Sequence, residues 1–149
     1  MLLGLEYYNR FPAVLKNALI SGKVSFPSSI QHEYSNMAVY RGVSYSKTKT
    51  TIEKNDFLSN MERHLQNPMV PVDDEKIDDY SCSCYLDIEE LRMRAKFPRK
   101  NKAIAKGVIR NEFGPIVINQ KTSHVDLYLF DDIDPSAEFE VVERWEKNG

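Results

Sequence analysis

Cysteine is nearly absent from this chain. Cys82 and Cys84 are the only two in 149 residues, too few for a disulfide framework or a zinc centre of their own. Nor do the three histidines, His32, His64 and His124, fall at a spacing that would complete a metal site. No apolar run approaches the length that spans a bilayer. The opening Met1-Leu2-Leu3-Gly4-Leu5-Glu6 lacks the basic and sustained apolar regions of a secretory leader. A cytoplasmic protein with no membrane partner is the expectation. An excess of positive charge is missing as well: 20 basic residues stand against 22 acidic ones, so no global field would hold nucleic acid. There is no Gly-x-Ser-x-Gly turn and no histidine placed by sequence to serve as a base, which leaves a serine nucleophile without support.

What is present suits one domain, residues 1–149. Apolar residues make up 42% and charged residues 28% of the chain, a balance of soluble globular domains rather than disordered ones. That length can bury a core without cross-links. Cys82 and Cys84, two apart on a predicted strand, point to one side and read as buried free thiols. A basic cluster of Arg92, Arg94, Lys96, Arg99, Lys100, Lys102 and Lys106 reads as a solvated helix face and loop, with local phosphate contact as the alternative.

Periodicity predicts a helix over Phe11 to Ile20, with Pro12 in the first turn and Gly22 as the stop. A second helix is predicted from an Asn55 cap to Leu65, its stripe being Phe57, Leu58, Met61 and Leu65. Residues 44–79 read as an insertion that carries this helix and an acidic loop. Asp87 caps a third helix, Ile88 to Phe97, with Glu89 and Glu90 in its first turn and Pro98 ending it. Strands are predicted at Met37 to Val43, Tyr80 to Tyr85, Ala103 to Ile109, Ile116 to Asn119, His124 to Phe130 and Glu138 to Val142, with turns at Gly114-Pro115 and at Asp131 to Pro135. Helices early and antiparallel strands late favour an α+β fold, with helices packed on a split or two-sheet β core.

Three segments carry polar groups suited to chemistry. In Val39-Tyr40-Arg41-Gly42-Val43 the arginine fork matches a phosphate, and Gly42 permits close approach of a ligand; a strand-end arginine paired with a carboxylate is the plainer reading. Alternation in Tyr80 to Tyr85 puts Ser81, Ser83 and Tyr85 on one face, either lining a pocket or facing water. In His124 to Phe130, residues Val125, Leu127 and Leu129 form a core face, and His124, Asp126, Tyr128 and Phe130 point the other way. A carboxylate so placed can steady positive charge developing on a ribose; a His–Asp pair at a sheet surface is the alternative.

The order of these segments resembles the ADP-ribosyltransferase superfamily. Val39-Tyr40-Arg41-Gly42-Val43 looks like the entry to that fold, and Ser81-Cys82-Ser83 is similar to its Ser-Thr-Ser strand. The segment Asp126-Leu127-Tyr128-Leu129 with Phe139-Glu140-Val141-Val142 resembles the stretch that begins at the family's Glu-x-Glu. The resemblance implies NAD as cofactor and no metal. It implies catalytic roles for Asp126, Ser81 and Arg41, and cofactor contacts from Arg41, Gly42, Ser81, Ser83, Tyr85 and His124 around one cleft. Here His124 stands for the first Glu or Gln, Asp126 for the catalytic glutamate, and Cys82 for threonine. Aspartate is one methylene shorter than the expected acid, which shortens its reach.

Three functions follow as expectations. One is an NAD-dependent ADP-ribosyltransferase or NAD glycohydrolase acting on an acceptor protein or water. Another is a non-catalytic relative that binds a nucleotide or a protein. The third is a small interaction protein of mobile-element origin.

Overall fold

The apolar spacing near the N-terminus yields two helices, α1 (Leu5–Tyr8) and α2 (Ala13–Ile20). Pro12 immediately precedes α2, and Gly22, at φ 79°, ends it, a conformation that costs glycine little. Helix α2 buries Leu15, Ala18 and Leu19. The computed structural model describes residues 4–144. Met1–Leu3, the start of the stretch weighed for a leader, lie outside the described residues.

Six strands follow: β1 (Met37–Ser44), β2 (Cys82–Tyr85), β3 (Lys102–Ile109), β4 (Ile116–Ile118), β5 (His124–Leu127) and β6 (Phe139–Arg144). They form one antiparallel sheet in the order β4-β5-β2-β1-β3-β6, and with the helices they make a single α+β domain. The expected split or two-sheet core is thus one sheet, but its middle is thin. β1 runs alongside β3 through every residue from Met37–Ile109 to Ser44–Lys102. Toward β2 its register has a single pair, Tyr40–Tyr85. Past Tyr40 the two strands diverge, and side chains fill the gap.

Two further helices come from residues between the strands. Helix α4 (Ile88–Arg94) follows β2, with Asp87 Oδ1 accepting from Glu89 N at 3.0 Å, and packs across β1 and β2. The helix expected from Asn55 to Leu65 is divided instead. A 3-10 turn spans Lys54–Phe57, and α3 (Asn60–Gln66) begins only after Ser59. The cause is a capping box: Ser59 Oγ accepts from Glu62 N, and Glu62 Oε1 accepts from Ser59 N, both at 3.1 Å. This arrangement fixes the helix start. Phe57 is then buried by the turn while Leu65 is left 67% exposed, so the proposed apolar stripe does not exist.

Alternation places Val39, Val43, Cys82, Cys84, Val125 and Leu127 in one buried cluster with Phe57 and Phe139. Both thiols are free and buried, as expected. At Gly107 the sheet meets Phe139 so closely that a Cβ would lie 2.5 Å from the ring. A second cluster gathers Phe11, Leu15, Met61, Tyr80, Tyr128 and Phe130 around the N-terminal helices. The strand assigned to β5 ends at Leu127, short of the expected Phe130, but its register with the β4 segment carries on, Tyr128 N donating to Pro115 O and Phe130 N to Phe113 O. The expected alternation holds: Val125, Leu127 and Leu129 pack in or against the first cluster, while Tyr128 and Phe130 lie in the second with Val117, the register partner of Asp126. Among the described residues no helix is long and apolar enough to cross a membrane.

Candidate functional site

The three segments singled out by sequence lie on consecutive strands of the sheet, β5, β2 and β1. Ser83 stands opposite Asp126 and Tyr85 opposite His124. Since Cys82, Cys84, Val125 and Leu127 face the core, the alternating residues Ser81, Ser83, Tyr85, His124 and Asp126 share the other face. The Tyr85 and His124 rings meet edge to face with centroids 5.1 Å apart. His124 Nδ1 lies 3.7 Å from Asp126 Oδ1.

Ser81 organises the acid. Its Oγ stands 2.6 Å from Asp126 Oδ1 and 2.8 Å from the carbonyl oxygen of Asp78. A hydroxyl has one proton, so it cannot serve both acceptors fully. The Ser81 proton is shared between the Asp126 carboxylate and the Asp78 carbonyl. Burial lifts the Asp126 pKa above the ordinary carboxylate value, and the Ser81 hydrogen bond and nearby His124 only partly pull it back. With its side chain 14% exposed, Asp126 still has a path to solvent.

Arg41 is placed differently. It lies between Val39 and Val43, both in the core cluster, and its register partner is Ala105 of the same cluster. It therefore belongs to the face opposite Ser83 and Asp126. Its guanidinium occupies the gap where β1 and β2 diverge: Nε donates to Asp56 O at 2.8 Å, Nη1 to Ser83 O at 2.6 Å and Nη2 to Leu58 O at 3.3 Å. The plainer reading of a carboxylate partner is not what the structure has; three backbone carbonyls take that place. The side chains of Arg41, Ser81 and Asp126 thus do not meet around one point. Ser81 and Asp126 do, and Arg41 reaches their strand through the Ser83 carbonyl. Gly42 is exposed, with no register partner on β2 and nothing within 4 Å of where a Cβ would be.

Asp56, which the sequence reading did not single out, closes the neighbouring corner. Its carboxylate accepts from Ser44 N and Oγ, from Glu53 N, and from Lys49 Nζ at 2.6 Å. Burial pushes its pKa up, but these donors outweigh it and the net shift is downward. Glu90 of α4 was also missed; it accepts the N–H of Ser123 and so ties α4 to the loop before β5. Its place in a first helical turn was visible, but its partner 33 residues on was not.

A hollow of about 280 Å3 opens beside the free stretch of β1, lined by Arg41, Gly42, Ser44, Asp56, Arg63 and Lys102 among others. Another of about 530 Å3 runs along β6 past Tyr45, Ile52 and Phe139, and none of the expected site residues lines it. Among the described residues no group of three or more His, Cys, Asp or Glu side chains is arranged to hold a metal ion. No family model, curated protein or solved structure matches the chain.

Proposed function

We propose that the protein binds NAD and acts as an ADP-ribosyltransferase or NAD glycohydrolase, with Asp126 as the acid group beside the reacting ribose. The observation that carries this reading is the Ser81–Asp126 hydrogen bond on strands β2 and β5, next in the sheet to the Arg41-Gly42 strand. In the step proposed, the bond between ribose C1′ and the nicotinamide nitrogen breaks, and its electron pair leaves with nicotinamide. Ionised Asp126 steadies the cationic sugar. Water or an acceptor nucleophile then bonds to C1′ and gives its proton to solvent. Ser81 holds the carboxylate in place, and open space at Gly42 admits the ligand to the backbone.

One observation favours a second reading, a nucleotide binder without catalysis: Arg41 and Asp126 project from opposite faces of the sheet. In that case ligand held at Arg41 would not bring its ribose to the acid.

Both readings require NAD to raise the melting temperature of the wild type. Arg41→Ala should abolish that rise. It also lowers the melting temperature without ligand, since three carbonyls lose a charged donor, so the ligand-induced shift is the quantity to compare. Nicotinamide release separates the readings. Asp126→Asn should reduce it at unchanged NAD affinity if the acid is catalytic. Equal release from both proteins removes the transferase reading, and no thermal shift at millimolar NAD removes both.

A further inference from the structure

The hollow beside β1 has more positive charge than its own carboxylates can match. Arg41 comes from β1, Arg63 from α3 and Lys102 from the first residue of β3, where it pairs in register with Ser44. The one carboxylate in the lining, Asp56, is 4% exposed and already bonded to Lys49 at 2.6 Å. Among the described residues the Arg63 guanidinium has one hydrogen bond, Nη1 to Asn60 Oδ1 at 3.3 Å. Arg41 spends three of its five N–H groups on carbonyls, which leaves two in the fork. Lys102 is exposed as a residue, yet packing around its ammonium end, with Arg63 and Arg99 nearby, holds its pKa below the ordinary lysine value. Cations that crowd one another around a cavity bind anions, because a bound negative charge relieves their repulsion.

We infer that Arg63 and Lys102, together with the spare donors of Arg41, form a binding site for the diphosphate group of a small anionic ligand. At about 280 Å3 the hollow is below the usual range for a whole drug-sized ligand, roughly 300–1,000 Å3. It fits the phosphates and part of a sugar, and the remainder of a nucleotide would extend past Gly42. The polar side chains of Asn55, Gln66 and Asn67 on its wall can accept or donate to phosphate and ribose oxygens. The site overlaps the NAD reading at Arg41, but Arg63, Lys102 and the diphosphate chemistry do not depend on catalysis at Asp126.

Titration calorimetry with inorganic pyrophosphate tests this directly. The wild type should bind it, and binding should weaken as sodium chloride is raised toward a Debye length of about 8 Å at 0.15 M. Arg63→Gln and Lys102→Gln should each weaken it roughly tenfold, the loss expected for one charge-assisted contact. Both residues are exposed, so the melting temperatures of the ligand-free variants should match the wild type and rule out misfolding as the cause. Absence of pyrophosphate binding at millimolar concentration, or wild-type affinity in both variants, overturns the site. The same titrations with NAD keep the two ideas apart. NAD binding indifferent to both substitutions overturns the diphosphate site and spares the NAD reading. Pyrophosphate binding without NAD binding supports the site and removes that reading.

Discussion

Ser81 Oγ and Asp126 Oδ1 stand 2.6 Å apart across neighbouring strands, with one hydroxyl proton to divide between that carboxylate and the Asp78 carbonyl. Burial raises the Asp126 pKa, and the hydrogen bond from Ser81 works against that rise.

Removing the hydroxyl should move that titration further. The Ser81 hydrogen bond pulls the Asp126 pKa down against the larger effect of burial, so Ser81→Ala should raise it again. Carboxyl carbon shifts followed by NMR across the acid range would read the change. An unchanged or lower midpoint in the variant would refute the assigned role of Ser81.

The same acid makes a signed prediction for stability. A folded-state pKa above the unfolded value of about 3.9 means that the native protein holds this proton more tightly. Its contribution is then complete below that unfolded value and is lost as pH rises through the folded pKa. Asp126→Asn, which removes the ionisation, should gain stability relative to the wild type between pH 4 and pH 7, as read from urea unfolding at the two values. A gap that shrinks with rising pH would contradict the assignment.

Asp56 should behave in the opposite sense. Its pKa is depressed because four donors outweigh burial. Stability from this corner is present above the unfolded value and lost as pH falls through the folded one. Lys49→Met leaves the carboxylate short of its charged partner and should cost on the order of 2 kcal/mol at pH 7. The penalty should decline in acid, and urea unfolding at pH 7 and pH 3 checks both statements.

Gly107 is fixed by packing rather than by backbone conformation. A methyl group there would lie 2.5 Å from the Phe139 ring, so Gly107→Ala should destabilise by about 1–3 kcal/mol. Combining it with Phe139→Leu should cost less than the sum of the two single changes, because the smaller side chain makes room. Strict additivity in denaturant unfolding would mean that the two residues do not press on each other.

Much of this architecture was legible wherever a local pattern carried it. Alternation in Tyr80 to Tyr85 separated the two thiols from the two serines correctly, because β2 is paired on the β5 side through its full length. The orientation of Arg41 was also in the sequence, in the flanking Val39 and Val43, although reading the arginine as a ligand fork passed over it. Ser59 and Glu62 spell a capping box that would have moved the start of α3. Alternation also placed Tyr128 and Phe130 opposite Val125 and Leu127, because the register with the preceding segment runs on through the Pro115 and Phe113 carbonyls. The convergence of Arg41, Arg63 and Lys102, by contrast, is a product of tertiary folding and leaves no local trace.

The sheet consists of two three-stranded panels, β4-β5-β2 and β1-β3-β6, that share a single rung at Tyr40–Tyr85. Shear between the panels has little ladder to oppose it, so resistance falls on the Arg41 fork and on α4, which straddles the seam. A molecule seated beside Arg41 would therefore press on a place where the two panels are joined by a side chain rather than by a ladder.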